Sequence, residues 1–227
     1  MIQLSKRLNA VAELLVHGID QLELEQPVLA DIGTDHAYLP VYLVQKKVVK
    51  KAYAADVRKG PLLHAKEHIE QYGLGEYIQT RLSDGGGSFV PGESEVAVIA
   101  GMGGKLTCRI LEQGRHVWEN WSEGKERLIL SPQSEQDEVR HFLEEQGFSI
   151  LREAMLTDEG KYYIVIEAAR GTMRPGREQD YRFGADLIRK KDPVLLAYLE
   201  KEEKMTRQVL AGLTENDAQN KKETLEA

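Results

Sequence analysis

The chain has 227 residues, of which 41% are hydrophobic, and its 30 Lys and Arg against 37 Asp and Glu give a formal net charge of -7. This composition describes a globular protein with one sizeable core and a smaller appendage, and it provides no global basic field for nucleic acid. One cysteine, Cys108, excludes an internal disulfide framework and is too few for a thiolate zinc site. Because the sequence has no signal-like or membrane-length apolar run, we expect a cytoplasmic protein that is neither secreted nor membrane-bound.

The first predicted element is an amphipathic helix that starts at Ser5 and ends near Gly18. Lys6 and Arg7 lie in its first turn, where the helix dipole does not favour cations. Two interpretations remain open, because these side chains are either solvated charges or ligand contacts.

The stretch from Pro27 to Pro40 predicts a strand, a tight turn and a helix. A short apolar run ends at Asp31, where a buried parallel strand would leave the sheet, and ligands bind at that edge of open α/β sheets. Gly33 lets the backbone turn sharply and approach a ligand closely. The triplet Asp31-Ile32-Gly33 also fits a plain strand–helix turn with a capping aspartate. Only the surrounding sequence distinguishes this turn from a ligand site. The following helix is expected from Tyr38 to Val49.

Two further predicted strands also end at an acid. The run from Ala52 ends at Asp56, 25 positions after Asp31, near the spacing at which nucleotide-binding folds place a carboxylate on ribose hydroxyls. After a helix from Leu62 to Tyr72, the strand 77–82 leads into Ser83-Asp84-Gly85, where Asp84 either accepts from an adenine amino group or caps the turn.

The most apolar strand, 95–100, leads into the glycine-rich loop Gly101-Met102-Gly103-Gly104. This loop allows a substrate to approach the backbone, and a helix from Lys105 would direct its positive end at the crevice. A glycine-rich turn without a ligand is the alternative.

The rest of the chain predicts a strand over 127–133, a helix through Val139 and Leu143, and extended segments over 148–151 and 153–157 that form an antiparallel hairpin with 161–168. After Arg170 the pattern becomes helical, with one helix through Phe183 and Leu187, a second after Pro193, and a polar tail from Thr214. We therefore expect a catalytic domain over 1–169 and a helical hairpin with its tail over 170–227.

Strands and helices alternate, so the predicted fold class is α/β, a doubly wound Rossmann-like sheet with a terminal antiparallel hairpin. Asp35 occupies the place of the second glycine in a dinucleotide-binding G-x-G-x-x-G turn, and no Walker A sequence is present. S-adenosylmethionine, which has a cationic sulfonium and no pyrophosphate, fits a pocket ringed by Asp31, Asp56 and Asp84. No metal is expected, because the acids lie on separate strand ends.

Three motifs together resemble the bacterial tRNA (adenine-22-N1)-methyltransferase family. They are Asp31-Ile32-Gly33-Thr34-Asp35-His36-Ala37-Tyr38-Leu39-Pro40, Ala100-Gly101-Met102-Gly103-Gly104 and Glu159-Gly160-Lys161-Tyr162-Tyr163. The resemblance implies a class I methyltransferase that uses S-adenosylmethionine to methylate an adenine of tRNA. The chain differs from the family at Leu130-Ser131-Pro132-Gln133, where the family has a Leu-Gln-Pro-Asn turn. This difference leaves a base contact by Gln133 in doubt.

The predicted sites follow from these motifs and the resemblance. The resemblance places Asp35 and the loop at 100–104 against the target base. His36 either assists Asp35 or is a helix-capping or packed histidine. Tyr162 is either a stacking surface for the base or an aromatic packed on a strand face. The predicted catalytic residues are Asp35, His36, Gly101, Met102 and Tyr162. The predicted cofactor contacts are Asp31, Gly33, Thr34, Asp56, Val57, Ser83, Asp84, Gly85, Ala100 and Gly101. The predicted RNA contacts are Lys6, Arg7, Arg58 and Lys161.

Two other classes of function stay open at this point: a methyltransferase for a small molecule or a protein, and a non-catalytic adenosine-nucleotide binding module. The acidic net charge favours both over an RNA enzyme. The expected partner is nonetheless tRNA, with no protein partner, and the expected state is a monomer or weak homodimer.

Overall fold

A computed structural model describes residues 2–22 and 25–226, with side chains described as far as residue 211. Across this part of the chain, seven strands form one sheet. The strands are β1 (Val28–Ile32), β2 (Lys51–Asp56), β3 (Ile78–Leu82), β4 (Val96–Ala100), β5 (Arg127–Ser131), β6 (Phe148–Asp158) and β7 (Lys161–Arg170). Their order is β3-β2-β1-β4-β5-β7-β6, and only the pairings of β7 are antiparallel. The predicted doubly wound α/β fold with a terminal antiparallel hairpin is confirmed.

Helices cover both faces of the sheet. The helices are α1 (Lys6–Gln21), α2 (Tyr38–Gln45), α3 (Lys59–Gln71), α4 (Gly104–Gln113), α5 (Arg115–Trp118), α6 (Gln136–Glu145), α7 (Glu178–Phe183), α8 (Ala185–Arg189) and α9 (Pro193–Glu226). One buried cluster unites α1, α2 and α3 with the sheet, and the other unites α4, α5, α6 and α8 with its opposite face. The alternating β-α pattern of the sequence produces this arrangement, because each crossover must cover apolar strands that are buried on both faces.

The functional edge of the sheet lies where β1 meets its two neighbours. β1 pairs with β2 on one side and β4 on the other, so the chain order reverses at this strand. Ligands bind outside the carboxyl ends of the strands at such a switch point. Beyond β1, the Gly33 N–H still donates to the Ala55 carbonyl at 2.8 Å, which holds the following loop over the end of β2.

The hairpin at the sheet edge is built as the sequence predicts, with one difference. The two predicted extended segments before Asp158 form the single strand β6, which continues through a bulge between Ile150 and Arg152. Glu159 and Gly160 connect β6 to β7 with φ values of 48° and 77°. Positive φ at both positions is the geometry of a two-residue hairpin turn that matches the twist of the strands.

Three helical elements differ from the predictions. α2 ends at Gln45 because Lys47 adopts a φ of 58°, and α5 was not predicted. The first carboxyl-terminal helix is divided into α7 and α8 at Gly184, where φ is 90° and a Cβ atom would collide with the Glu153 carboxylate.

The carboxyl-terminal helices are anchored on the sheet. Leu187 of α8 and Leu195 of α9 are buried in the core, and the Asp192 carboxylate accepts from the Val194 N–H at 2.9 Å at the start of α9. The polar tail predicted from Thr214 lies outside the residues whose side chains are described, and the boundary between 1–169 and 170–227 stays a prediction. Among the described residues, no helix is both long enough and apolar enough to cross a membrane.

Candidate functional site

A crevice of about 960 Å³ opens at the carboxyl ends of β1, β2, β3 and β4, between the starts of α1 and α4. Each of the ten predicted cofactor contacts lines it, as do the predicted catalytic residues Asp35, His36, Gly101 and Met102. Residues from four separate strand ends thus meet in one cleft, because β1, β2, β3 and β4 are parallel and their carboxyl ends lie side by side.

Asp31 provides a buried carboxylate to this crevice. Only 8% of the residue is exposed, and burial raises the pKa of its carboxyl from 3.8 to about 6, against the opposing effect of a hydrogen bond from the Thr34 side chain. A carboxylate that burial has deprived of water favours a cationic partner. The site therefore has the chemistry to hold a positively charged ligand at the end of β1.

Asp56 is a second buried acid, at the end of β2, with 6% exposure. Its Oδ1 atom accepts from the Arg58 backbone N–H at 2.8 Å, and the Arg58 Nε lies 3.5 Å from the same atom. These contacts fix the carboxylate at the crevice wall, where it can accept hydrogen bonds from hydroxyl groups of a ligand.

Two glycines bring the backbone of the crevice close to side chains from other elements. Gly33 and Gly101 have φ values of 82° and 83°, which favour glycine. A Cβ at Gly33 would collide with the Met102 methyl group, and one at Gly101 would lie 2.9 Å from Arg7 Nη1. Any larger residue at either position would therefore strain the backbone and displace a crevice side chain.

Arg7 reaches from α1 into the crevice beside Gly101. Its Nη1 atom is buried and has no hydrogen-bond partner in the described part of the chain. Its guanidinium carbon lies 5.8 Å from the centroid of the Tyr163 ring. A buried guanidinium donor without a partner is costly, so this atom is placed to meet an acceptor group of a ligand.

Asp35 and His36 lie at the mouth of the crevice. The Asp35 side chain is 72% exposed, and its Oδ2 atom lies 3.7 Å from His36 Nε2. Asp35 is thus an exposed carboxylate that a bound molecule can cover.

The loop after β3 is held by its own side chains. The Ser83 hydroxyl donates to the Gly85 carbonyl at 2.7 Å, and the exposed Asp84 carboxylate accepts from Gln113 Nε2 at 3.2 Å. Ser83 therefore shapes the loop rather than presenting a free hydroxyl to a ligand.

Tyr162, one of the predicted catalytic residues, does not line the crevice. Its ring packs edge-on against Tyr198 with centroids 5.0 Å apart, and Lys201 Nζ lies 5.6 Å from the ring centroid. Side chains alternate along a strand, so the neighbouring Tyr163 faces α1 and Arg7 instead. In the structure, Tyr162 is an aromatic residue packed on a face of β7.

The remaining predicted contacts lie around the crevice. Arg58 lines it, whereas Lys6 and Lys161 are exposed outside it, and Lys6 Nζ donates to the Thr157 carbonyl at the end of β6. Gln133 is also outside, and its backbone N–H donates to the Met102 carbonyl at 2.8 Å. Among the described residues, no three His, Cys, Asp or Glu side chains gather as metal ligands.

Sequence reasoning did not find the apolar wall of the crevice. Leu106 and Ile110 of α4 and Leu4 and Leu8 near α1 line it. Each pair is four positions apart, the spacing of one helix face, but the same pattern marks a core face, so the sequence alone does not separate the two roles.

Comparisons with known proteins agree with this architecture. A family model of tRNA (adenine(22)-N(1))-methyltransferases matches residues 29–227. A Bacillus subtilis tRNA (adenine(22)-N(1))-methyltransferase is 39% identical over 170 residues, which are 75% of this chain and 66% of the relative. The crystal structure of the B. subtilis m1A22 tRNA methyltransferase has a TM-score of 0.80 at 33% identity, over 94% of this chain and 88% of that one. A Streptococcus pneumoniae structure in complex with S-adenosyl-L-methionine has a TM-score of 0.79 at 38% identity, over 92% of this chain and 95% of that one.

Proposed function

The chain belongs to the tRNA (adenine(22)-N(1))-methyltransferase family, and we propose that its crevice brings S-adenosylmethionine and adenine 22 of a tRNA together for methyl transfer to N1. The observation that carries this proposal is that two buried acids, Asp31 and Asp56, line one crevice at the switch point of the sheet with the exposed carboxylate of Asp35 at its mouth. The acidic net charge is the one observation that favours the open alternatives, a small-molecule or protein methyltransferase and a nucleotide-binding module, and the family match outweighs it.

The crevice fits S-adenosylmethionine in charge and in hydrogen-bonding groups. When bound, this cofactor supplies an electrophilic methyl group on a sulfonium, which adenine N1 takes with its own lone pair. Asp31 would hold the cationic ammonium group of the methionyl end, because its carboxylate is buried at the crevice wall. Asp56 accepts from the ribose hydroxyls, and Arg7 Nη1 donates to the methionyl carboxylate. Arg7 is thereby reassigned from the predicted RNA contacts to the cofactor.

Asp35 positions the target base and stabilises its charge. Adenine N1 needs no strong base, so alignment is the main contribution of the protein. The Asp35 carboxylate accepts from the exocyclic amino group and favours the positive charge that methylation leaves on the ring. The bound base covers this exposed carboxylate and removes its water, which strengthens the interaction.

We expect Asp35→Ala to keep most S-adenosylmethionine affinity and to lower kcat by about 100-fold, the loss typical of one electrostatic contact to the transition state. Single-turnover methylation at saturating tRNA and isothermal calorimetry measure the two effects separately. Normal turnover combined with lost cofactor binding would make Asp35 a cofactor residue instead.

The activity itself is tested with two tRNA transcripts that differ only at position 22, adenine or guanine. The proposal predicts methyl incorporation into the first and none into the second, with mass spectrometry locating the methyl group on N1. Equal incorporation into both transcripts, or transfer to a protein or small acceptor alone, would overturn the proposal.

The remaining parts of the proposal concern the setting of the protein. We place it in the cytoplasm as a monomer or weak homodimer with tRNA as its macromolecular partner. The tRNA substrate and the single, half-buried Cys108 are consistent with this setting.

A further inference from the structure

A cluster of exposed and half-buried rings lies beside the mouth of the crevice, and His36 alone among them belongs to the predicted catalytic set. It consists of His36, Tyr38, His64, His68 and Tyr72, which we call the histidine face. The rings of His36 and His64 stack with centroids 5.3 Å apart and planes at 4°. His36 and Tyr38 also line the crevice, so the two surfaces are continuous.

The inner rings of the histidine face are fixed. His68 packs edge-on between Tyr38 and Tyr72, with centroids 4.9 and 5.0 Å away. Its Nδ1–H donates to the backbone carbonyl of His36 at 2.7 Å, and this hydrogen bond joins α3 to the loop that carries Asp35. The network fixes the backbone of His36, whose ring stacks on His64.

His64 is the open member of the cluster. It is exposed on α3, and among the described residues only the stack on His36 engages its ring. A shallow groove of about 240 Å³ runs beside it, lined by His36, His64, Glu67, His68 and Gln71. The α3 members lie at positions i, i+3, i+4 and i+7, so they form one face of the helix.

The chemistry of this groove suits a nucleobase better than a phosphate. A flat ring whose other face is already stacked offers a surface for a base, and such a stack is sequence-tolerant. The Glu67 carboxylate and the Gln71 amide present hydrogen-bonding groups that match base edges, while the negative charge of Glu67 repels a phosphate.

We propose that the histidine face holds an unpaired nucleotide of the tRNA next to the target adenine, with that base stacked on His64 while the target occupies the crevice. The inference rests on the proposed tRNA methyltransferase activity and adds to it a substrate-positioning surface. A target base must leave its stack to reach the crevice, and its neighbour then loses a stacking partner. A ring at the mouth of the crevice compensates for that loss.

The test measures tRNA affinity and methylation kinetics of His64→Ala and His64→Phe in the full chain. We expect His64→Ala to weaken tRNA binding and to raise KM for tRNA about tenfold, within the range for losing one base stack, with S-adenosylmethionine affinity and thermal midpoint unchanged. His64→Phe keeps a ring and should restore most of the affinity. His17→Ala, an exposed histidine on α1, is the matched control and should change nothing.

Two further tRNA substrates locate the contact, each with an abasic residue on one side of adenine 22. For one of them, His64→Ala should cause no additional loss, because the base that it stacks on is already gone. Three outcomes would overturn the inference: unchanged tRNA affinity in His64→Ala, a His64→Phe variant that binds as weakly as His64→Ala, or equal losses on both abasic substrates. The proposed function would still stand in each case if the wild type methylates the unmodified tRNA. A wild-type protein that methylates no tRNA would instead refute the proposed function, and this inference with it.

Discussion

At the antiparallel end of the sheet, buried arginines and glutamates lie in pairs, whereas at the carboxyl ends of β1 and β2 two buried aspartates face an open crevice. Arg140 Nε lies 2.8 Å from Glu153 Oε1 and Arg127 Nε lies 3.0 Å from Glu167 Oε1, all with side chains at most 6% exposed. Asp31 and Asp56 are nearly as buried, yet among the described residues neither has a buried cation beside it, and the Arg58 side chain near Asp56 is 71% exposed. The buried pairs hold elements together, whereas Asp31 and Asp56 present their carboxylates to the crevice.

The paired end connects the carboxyl-terminal helices to the sheet. Arg140 of α6 reaches Glu153 of β6 and donates from Nη1 to the Tyr181 carbonyl of α7 at 2.6 Å, and the Glu153 N–H donates to Asp186 of α8 at 3.0 Å. These contacts join elements of the protein to one another and lie away from the crevice, so their loss should affect folding and leave ligand binding alone.

The largest expected effect is on the stability of the paired end. Arg140→Met leaves the Glu153 carboxylate buried without its cation and should lower the free energy of unfolding by about 3–5 kcal/mol. Urea denaturation measures this loss, and the double variant Arg140→Met/Glu153→Leu should regain much of it because neither charge of this pair remains buried. A single variant as stable as the wild type would show that the pair does not hold these elements.

The next effect concerns the open end. Asp56→Ala should weaken S-adenosylmethionine binding by about 1.5–3 kcal/mol, the range for losing charge-assisted hydrogen bonds. Calorimetry on the folded variant measures it, and Glu76→Ala, an exposed acid after α3, is the matched control. Unchanged affinity in Asp56→Ala would remove this carboxylate from the cofactor site.

Asp31 should make cofactor binding depend on pH. Burial raises the pKa of its carboxyl from 3.8 to about 6, so in the unliganded protein Asp31 favours the folded state increasingly as pH falls from about 6 towards 3.8. A cationic ligand favours the ionised form, so S-adenosylmethionine affinity should fall by up to about tenfold per pH unit below about 6. Titrations across this interval should show the slope in the wild type and a flatter one in Asp31→Asn. The same slope in both proteins would contradict the assignment.

The smallest effect separates two neighbours that the sequence treats alike. Lys6 is exposed outside the crevice and Arg7 lines it, so only Lys6 remains a candidate phosphate contact. Lys6→Ala should reduce the slope of log K for tRNA against log salt by about one. Lys50→Ala, an exposed lysine just before the amino end of β2 and away from the crevice, should leave the slope unchanged. A slope that Lys6→Ala does not alter would assign Lys6 to ordinary solvated charge.

The sequence predicts the open end of the molecule better than the paired end. Apolar runs that stop at Asp31, Asp56 and the glycine loop identify strand ends, and the parallel order of the strands then brings them into one crevice. Nothing local pairs Arg140 with Glu153 or shows that Gly184 interrupts a helix, because those features depend on packing between distant elements. Tyr162 and Tyr163 could not be told apart either, since a shift of one residue exchanges the two faces of a strand.

The most direct test of this account is the unfolding of wild type, Asp56→Ala and Arg140→Met with and without S-adenosylmethionine at about 100 times the wild-type dissociation constant. A ligand at this concentration should stabilise the wild type by about 2.7 kcal/mol. The account predicts the same gain in Arg140→Met, from a lower starting stability, and a much smaller gain in Asp56→Ala. The account would be contradicted if the ligand stabilised Asp56→Ala as much as the wild type, or if it did not stabilise Arg140→Met. Either result would show that the buried ion pairs and the crevice aspartates do not have separate roles in stability and cofactor binding.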